Sequence, residues 1–160
     1  ARADILKSNL ERMGVPNAVV LNETPARIAE ALPEFFDRVL VDAPCSGEGM
    51  FRKEPAALAQ HCEALVKQCA ELGAQILDCA AAALAPGGQL VYSTCTIDPA
   101  ENQQQIAAFL QRHPEFAVCA PEVPLPAGMT AGEYGCLSVP TRTGMDGFFL
   151  CVLQKATGTQ

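Results

Sequence analysis

The sequence lacks the features that mark membrane, secreted and disordered proteins. No apolar run approaches the roughly 20 residues that a membrane-spanning helix needs. The first residues are amphipathic and charged, without the apolar core of a signal peptide. Charged residues make up only 18% of the chain and hydrophobic residues 49%, which argues against disorder over most of its 160 residues. The composition therefore predicts one folded domain in the cytoplasm, with no membrane partner.

Glycine-rich phosphate loops and excess positive charge are also absent. The chain contains neither G-x-G-x-x-G nor G-x-x-x-x-G-K-[ST], which argues against both common phosphate-binding loops. The 11 Lys and Arg residues against 18 Asp and Glu give a net charge of −7. This balance argues against a protein that grips nucleic acid by overall charge, so any nucleic acid must bind through a local patch. Arg52 and Lys53 form the one pair of adjacent basic residues.

Metal-binding cysteine pairs are missing, although the chain has eight cysteines. None forms a Cys-x-x-Cys pair, and His61 and His113 lie far apart without a partner at ligand spacing. This pattern predicts no metal and argues against a zinc ribbon or a thioredoxin-type motif. A cysteine-rich metal or redox protein stays as an alternative that bound zinc would reveal. Most of the cysteines are expected to be buried, reduced thiols that act as small apolar side chains.

The spacing of apolar residues predicts alternating helices and strands. Pro86 to Gly88 is predicted to be a turn, and the proline-rich part after Val118 is predicted to be irregular, with one short strand. The order is typical of parallel βαβ units and predicts an α/β fold with a hairpin at the sheet edge. Helices are predicted over 1–13, 24–32, 56–84 and 99–111 (the last with Asp98 as N-cap), and strands over 17–21, 37–42, 89–93 and 148–153.

Two of the predicted strands end in similar polar segments. The strand ending at Asp42 is followed by Cys45, and the strand ending at Ser93 is followed by Cys95. Ligands of open α/β sheets bind beyond the carboxyl ends of strands, and a strand-end loop can supply the exposure and free N–H groups that a reactive thiolate needs. Asp42, Cys45 and Cys95 are therefore site candidates. Taken singly, each cysteine could equally be a packed thiol, and Asp42 could be only a turn cap.

Two longer motifs resemble those of a known enzyme family. The first reads DAPCSGEGMFRK over Asp42–Lys53, and the second reads VYSTCT over Val91–Thr96. The P-x-E-N of Pro99–Asn102 follows directly. In order and spacing they resemble the RNA cytosine-C5 methyltransferases of the Nol/Nop/Sun and RsmB/RsmF type, and most closely the bacterial ribosomal-RNA branch.

The resemblance implies a Rossmann-like class I methyltransferase fold, S-adenosylmethionine as cofactor and RNA, of ribosomal origin, as substrate. It implies that Cys95 adds to C6 of the target cytosine, that Cys45 aids release of the product, and that Asp42 lies at the base and the cofactor. The remaining candidates are Asn22 and Pro44 for the cofactor, and Arg52 and Lys53 for RNA.

Three alternatives stay open at this point. The cysteines could exchange roles, with Cys45 as nucleophile, as in the DNA cytosine methyltransferases that use a Pro-Cys motif. The substrate could be transfer RNA instead of ribosomal RNA. A non-catalytic RNA-binding relative is the third alternative, although the chain keeps Cys45, Cys95 and Asp42.

The chain departs from the resembling family at its start. The family's glycine-rich cofactor loop, and the acid that holds the ribose, should precede Ala1. Residues 1–155 are therefore expected to be the C-terminal part of a methyltransferase domain without its first two strands, followed by a tail over 156–160. Without those strands, one edge of the strand ending at Asp42 should be bare.

The first prediction concerns cofactor binding by the isolated chain. Because the expected cofactor loop is not among these residues, the chain alone should be inactive and should bind S-adenosylmethionine weakly or not at all. Isothermal titration calorimetry checks this expectation, and micromolar binding would contradict it.

Overall fold

The computed structural model describes residues 2–47, 63–144 and 146–158. These residues form five helices and six strands that alternate along most of the chain. In chain order they are α1 (Arg2–Arg12), α2 (Pro25–Ala31), β1 (Phe36–Asp42), α3 (Glu63–Ala83), β2 (Leu84–Thr94), α4 (Gln103–Arg112), β3 (Phe116–Cys119), β4 (Thr130–Gly132), β5 (Gly135–Ser138), α5 (Pro140–Thr143) and β6 (Phe148–Lys155).

The six strands form one sheet in which β2 lies between β1 and β6. The order is β1-β2-β6-β5-β4. β3 also pairs with β6, on the same side as β5 but farther along β6 toward its C-terminal end. β1 and β2 run parallel, with Asp42 opposite Ser93. β6 runs antiparallel to β2, β3 and β5. The predicted α/β architecture, with parallel strands and an antiparallel edge, is therefore confirmed.

The core surrounds β2, whose inward side chains are fully buried. Leu90 is buried in the strand, and Leu77 of α3 packs in the same cluster. Ile106 and Phe109 lie three residues apart on one face of α4, and both are buried there. Burial of each such side chain contributes about 2 kcal/mol to folding. None of the helices in the described ranges is long and apolar enough to span a membrane.

The predicted strand over 17–21 is not formed. This segment is irregular, and Val19 is 85% exposed. Its β-branched residues favour an extended chain, which is why the pattern predicted a strand. A strand also needs a neighbour for its N–H and C=O groups, and none of the described strands pairs with this segment.

The outer edge of β1 has no strand beside it within the described ranges. Leu40 is 70% exposed there, and a cavity of about 460 Å³ along this edge is lined mostly by apolar side chains of α2, β1 and α3. The bare edge expected for this strand is present. An unpaired edge with apolar surroundings is a place where a further strand can add.

Two element boundaries differ from the predicted ones. α4 begins at Gln103, four residues later than predicted, and Asp98 is not its N-cap. The Asp98 carboxylate instead accepts a hydrogen bond from the backbone N–H of Ala100 at 2.8 Å, which closes a separate turn. β2 begins at Leu84, so the predicted glycine turn lies within the strand as an irregularity, where Gly87 has a φ of +80°.

Other boundaries agree within a few residues, and the proline-rich part is more ordered than predicted. α3 ends at Ala83, and the predicted start of that helix over 56–62 falls outside the described residues. The part after Val118 was predicted to contain one short strand, but it holds the end of β3, both strands of the β4–β5 hairpin, and α5. Strands of three or four residues are too short for a sequence period to reveal.

The start of β2 depends on a glycine because the chain is tightly packed there. A Cβ on Gly88 would lie 2.6 Å from Leu84 Cδ1 and 2.8 Å from the Asp37 carbonyl oxygen. Gly88→Ala should therefore lower the free energy of unfolding by about 2 kcal/mol, measured as a lower urea midpoint. Gly158→Ala is the control, since nothing lies within 4 Å of its Cβ. Equal midpoints for the two variants would contradict the prediction.

Candidate active site

Two cysteine sulfurs meet where β1 and β2 end. The parallel pairing continues past Asp42, where the N–H of Ala43 donates to the Ser93 carbonyl at 2.9 Å. Cys45 Sγ lies 2.6 Å from Cys95 Sγ, and both residues are half-buried. Two of the site candidates from the sequence, Cys45 and Cys95, therefore lie together. Because β1 and β2 run parallel, both loops lie at the carboxyl ends of the strands.

The contact between the thiols moves their pKa values apart. The hydrogen bond from Cys95 lowers the pKa of Cys45 from its ordinary 9.0 to about 7, against the opposing effect of burial. Backbone N–H groups of Cys95 and Gly47 also lower the pKa of Cys45, while the charge of Glu101 raises it. The same contact with Cys45 raises the pKa of Cys95. Near neutral pH the pair can therefore hold one proton and one negative charge between two sulfurs.

Two cysteines elsewhere in the sheet have raised pKa values, in contrast to Cys45. Cys136 and Cys151 are buried, and burial raises the pKa of Cys151 to about 12. Burial also raises the pKa of Cys136. The expectation of buried, reduced thiols is confirmed for these two residues. Cys69, Cys79 and Cys119 are free and only partly buried, and Cys62 lies outside the described residues.

A buried carboxylate connects the two cysteine loops. Glu101 is 1% exposed, and it accepts hydrogen bonds from the Ser46 backbone N–H at 2.8 Å and from Ser46 Oγ at 2.6 Å. Ser46 Oγ also lies 3.3 Å from Thr96 Oγ1. Because the Ser46 proton points to Glu101, the Thr96 hydroxyl is the donor in that contact. The residue after Cys45 thus touches the residue after Cys95.

The neighbouring side chain, Asn102, holds the second loop. Its Oδ1 accepts from Thr94 Oγ1 at 2.6 Å, and its Nδ2 donates to the Thr96 carbonyl at 3.0 Å. The Tyr92 hydroxyl donates to the Glu101 carbonyl at 2.8 Å, which ties this turn to β2. Each of these buried polar groups therefore has a partner, as folding requires.

Sequence reasoning missed this buried network. Glu101 and Asn102 belong to the P-x-E-N motif, and the sequence pattern alone gives them no structural role. The sequence signal for these two residues is an acid and an amide that lie between a polar strand end and the start of the next helix. Such residues are usually expected to be exposed caps. Here tertiary contacts to Ser46 and Thr96 take both side chains into the interior.

The cofactor candidates do not share one environment. Asp42 and Pro44 are both exposed at the carboxyl end of β1. An exposed carboxylate there can accept hydrogen bonds from amino or hydroxyl groups, so Asp42 could hold such groups of a cofactor. Asn22 is exposed in the irregular segment before α2, and no strand of the described ranges ends beside it. Its role stays a prediction.

The remaining candidates concern nucleic acid and metal. Arg52 and Lys53 fall outside the described residues, so their predicted contact with RNA stays a prediction. Over 2–47, 63–144 and 146–158, no group of three or more His, Cys, Asp or Glu side chains could hold a metal ion.

The chain matches a known protein family over nearly its whole length. Residues 1–154 match the family described as 16S rRNA methyltransferase RsmB/F. The chain belongs to this family. Within the RsmB/F family, it is 38% identical to ribosomal RNA small subunit methyltransferase F of Cronobacter sakazakii over 163 residues. It is 39% identical to the protein of the same name from Erwinia tasmaniensis over 159 residues.

These relatives are much longer than the chain. The alignments cover 100% and 97% of the chain, but only 34% and 33% of the two relatives. The chain therefore spans about a third of the length of the curated proteins it matches.

Solved structures agree with the family assignment and give the fold. A structure titled PH0851 superposes with a TM-score of 0.87 at 34% identity, over 96% of this chain and 34% of the other. NSun6 from Pyrococcus horikoshii, solved with SFG, gives a TM-score of 0.81 at 22% identity, over 96% and 38%. At that identity NSun6 supports the fold alone. The expected Rossmann-like methyltransferase fold is confirmed.

The thiol contact leads to a prediction about Cys45 in this RsmB/F family member. Only a thiolate reacts with iodoacetamide, so alkylation of Cys45 should rise with pH around a midpoint of about 7. Cys95→Ala removes the hydrogen bond that contributes most to this low pKa, so the midpoint should move up toward 9.0 or beyond.

Peptide mass spectrometry across a pH series measures this midpoint. At pH 7 a midpoint of 9.0 leaves about 1% thiolate instead of about one half, so the Cys95→Ala variant should alkylate roughly fiftyfold more slowly. Cys119→Ala is the control, since this partly buried thiol lies on β3, which pairs with β6 and not with the cysteine loops. An unchanged Cys45 midpoint in Cys95→Ala would show that the contact does not set the pKa.

Proposed function

We propose that this protein transfers a methyl group from S-adenosylmethionine to C5 of a cytosine in RNA, and that the RNA is ribosomal. The observation that carries the proposal is the pair of thiols, 2.6 Å apart, at the carboxyl ends of adjacent parallel strands. Membership of a family described as 16S rRNA methyltransferases supports the ribosomal substrate.

The chemistry needs a thiolate because C5 of cytosine is a weak nucleophile. The Cys95 thiolate adds to C6, forming an S–C bond, while a proton is taken up at N3. The electron pair displaced from the C5–C6 bond makes C5 reactive, so one difficult step becomes two easier ones. S-adenosylmethionine, when bound, supplies the electrophilic methyl group. The target base must be unstacked or single-stranded to reach Cys95.

Release of the product needs a second group close to the first. A base must take the proton from C5, and N3 must lose the proton that it took up. The C5–C6 double bond then reforms, and the S–C6 bond breaks to free the Cys95 thiolate. Cys45 Sγ lies beside Cys95 Sγ, and this closeness supports Cys45 as the base in this proton transfer. The backbone N–H groups of Cys95 and Gly47, which also lower the pKa of Cys45, still favour its thiolate when the Cys95 sulfur is bonded to C6.

The assignment of roles within the pair has a specific alternative. The pKa of Cys45 is the lower of the two, which favours Cys45 as the resting thiolate and hence as nucleophile. We nevertheless assign attack to Cys95, because the Thr-Cys motif resembles that of the RNA enzymes. One proton can pass from Cys95 to Cys45 across the contact between their sulfurs, so the resting charge on Cys45 does not prevent attack by Cys95. Cys45 must then give up that proton, to N3 or to solvent, before it can act as the base in release.

The other site residues enter the proposal by position and by resemblance. Asp42 is proposed to contact the base and the cofactor, and Pro44 to contact the cofactor, since both are exposed beside Cys45. An acid that a buried loop keeps protonated could give the proton to N3. Asp42 is exposed, so burial does not single it out for that step. Asn22 is proposed for the cofactor, and Arg52 and Lys53 for RNA.

The proposal predicts that single cysteine variants of the full-length gene product will behave differently. Cys45→Ala and Cys95→Ala would each be incubated with cellular RNA and S-adenosylmethionine, then run on a denaturing gel. Cys45→Ala should retain RNA covalently, because attack proceeds and release fails. Cys95→Ala should retain none, because no S–C6 bond forms. Methyl transfer should fall at least about a hundredfold in both variants.

Each other outcome has a definite meaning. An adduct only with Cys95→Ala would reverse the two roles. No adduct with either variant, together with no methyl transfer by the unmodified protein, would favour the non-catalytic RNA-binding relative. Cys119→Ala serves as the matched control and should methylate as the unmodified protein does. Ribosomal and transfer RNA, supplied separately, would distinguish the two substrates.

A further inference from the structure

The two cysteine loops share one internal support. Ser46 follows Cys45 and is 7% exposed, while Thr96 follows Cys95 and is fully buried. Their hydroxyls touch at 3.3 Å, and the hydroxyl of Ser46 also bonds to the Glu101 carboxylate. The position of each sulfur therefore depends on a buried residue next to it in the chain.

Glu101 is the group that restrains the Cys45 loop from within. It accepts both the backbone N–H and the side-chain hydroxyl of Ser46, so it fixes the main chain and the side chain together. Hydrogen bonds to a carboxylate are roughly twice as strong as neutral ones. Because its backbone carbonyl also accepts from Tyr92, Glu101 is itself held against β2.

We propose that Glu101 is a positioning residue, which holds the Cys45 loop against the Cys95 loop and so keeps the two thiols in contact. Asn102 acts on the other loop through Thr94 and Thr96. Glu101 is buried, so it acts through Ser46 and not by touching a substrate. The thiol contact itself is a property of the protein alone. Only its consequence for methyl transfer rests on the proposed function.

Two effects of Glu101 on the thiols have opposite signs, which makes the proposal testable. Its charge raises the pKa of Cys45, whereas the thiol contact that it maintains lowers that pKa. If Glu101 acted by charge alone, its removal would lower the pKa of Cys45. If it acts by position, removal separates the sulfurs and the pKa rises.

The choice of variants separates position from charge. Glu101→Gln keeps the size and one acceptor oxygen for the Ser46 N–H, but removes the charge. Ser46→Ala removes only the hydroxyl, with little change in volume. Glu101→Ala removes all contacts to Ser46. The control is Glu71→Gln, which changes an exposed carboxylate on α3.

The test uses the full-length protein and two thiol measurements that need no RNA. Diamide takes two electrons and two protons from a pair of thiols and leaves a disulfide, so its rate with Cys45 and Cys95 reports their proximity. Alkylation of Cys45 across pH reports its ionisation, with Cys119 as an internal reference. Circular dichroism and the urea midpoint report the fold.

We expect Glu101→Ala to slow formation of the Cys45–Cys95 disulfide about tenfold or more, since close orientation is lost. The Cys45 alkylation midpoint should rise above about 7. Ser46→Ala should slow the disulfide severalfold, and Glu101→Gln should stay nearer the unmodified protein in both measurements. If Glu101→Ala does not fold, Ser46→Ala and Glu101→Gln decide the question. Disulfide rates within twofold of the control for Glu101→Ala and Ser46→Ala, or a lower Cys45 midpoint in Glu101→Ala, would overturn the proposal.

Methyl transfer then separates this inference from the proposed function. In Glu101→Ala, kcat should fall while KM for RNA stays unchanged, because a buried carboxylate does not contact RNA. Altered thiol measurements in a protein that never methylates RNA would refute the proposed function and leave the positioning role standing. Unaltered thiols in a protein that does methylate RNA would refute the positioning role alone.

Discussion

The parallel pairing of β1 with β2 is the constraint on which the rest of the site depends. The register sets Asp42 opposite Ser93, and Cys45 and Cys95 follow these residues by three and two positions. The two loops leave the carboxyl ends of adjacent strands side by side. Their side chains therefore need little further adjustment to meet. A register shift would move one sulfur away from the other and turn neighbouring side chains to the opposite face.

Burial around β2 makes that register unambiguous. Leu90 and Tyr92 point into a core closed by α3, α4 and β6, so a slipped strand would expose them. Tyr92 also links the core to the site, because its ring packs against Phe149 while its hydroxyl reaches the Glu101 carbonyl. The packing that stabilises the sheet therefore also places the turn from which Glu101 and Asn102 extend.

The same residue type has three chemical characters in this sheet. Burial raises the pKa of Cys151 to about 12, whereas contact with a second thiol lowers that of Cys45 to about 7. The same contact raises the pKa of its partner, Cys95. A thiol pair that shares one proton can present a thiolate at neutral pH without a histidine or a metal beside it. Position relative to the strand ends decides which cysteines gain this property.

The sequence by itself determined the order of most elements, the two strand ends and the identity of the two cysteines. These follow from local signals: apolar periodicity, turn residues and short motifs. It did not determine the fate of the segment over 17–21, because extended residues become a strand only beside a neighbour. It also did not reveal that Glu101 and Asn102 are buried, since an acid before a helix is usually a solvated cap. Only the tertiary structure decided that Glu101 meets Ser46, 55 residues away in the chain, and that two sulfurs 50 residues apart come into contact. Such contacts depend on how the strands pair, and a local sequence pattern does not specify that pairing.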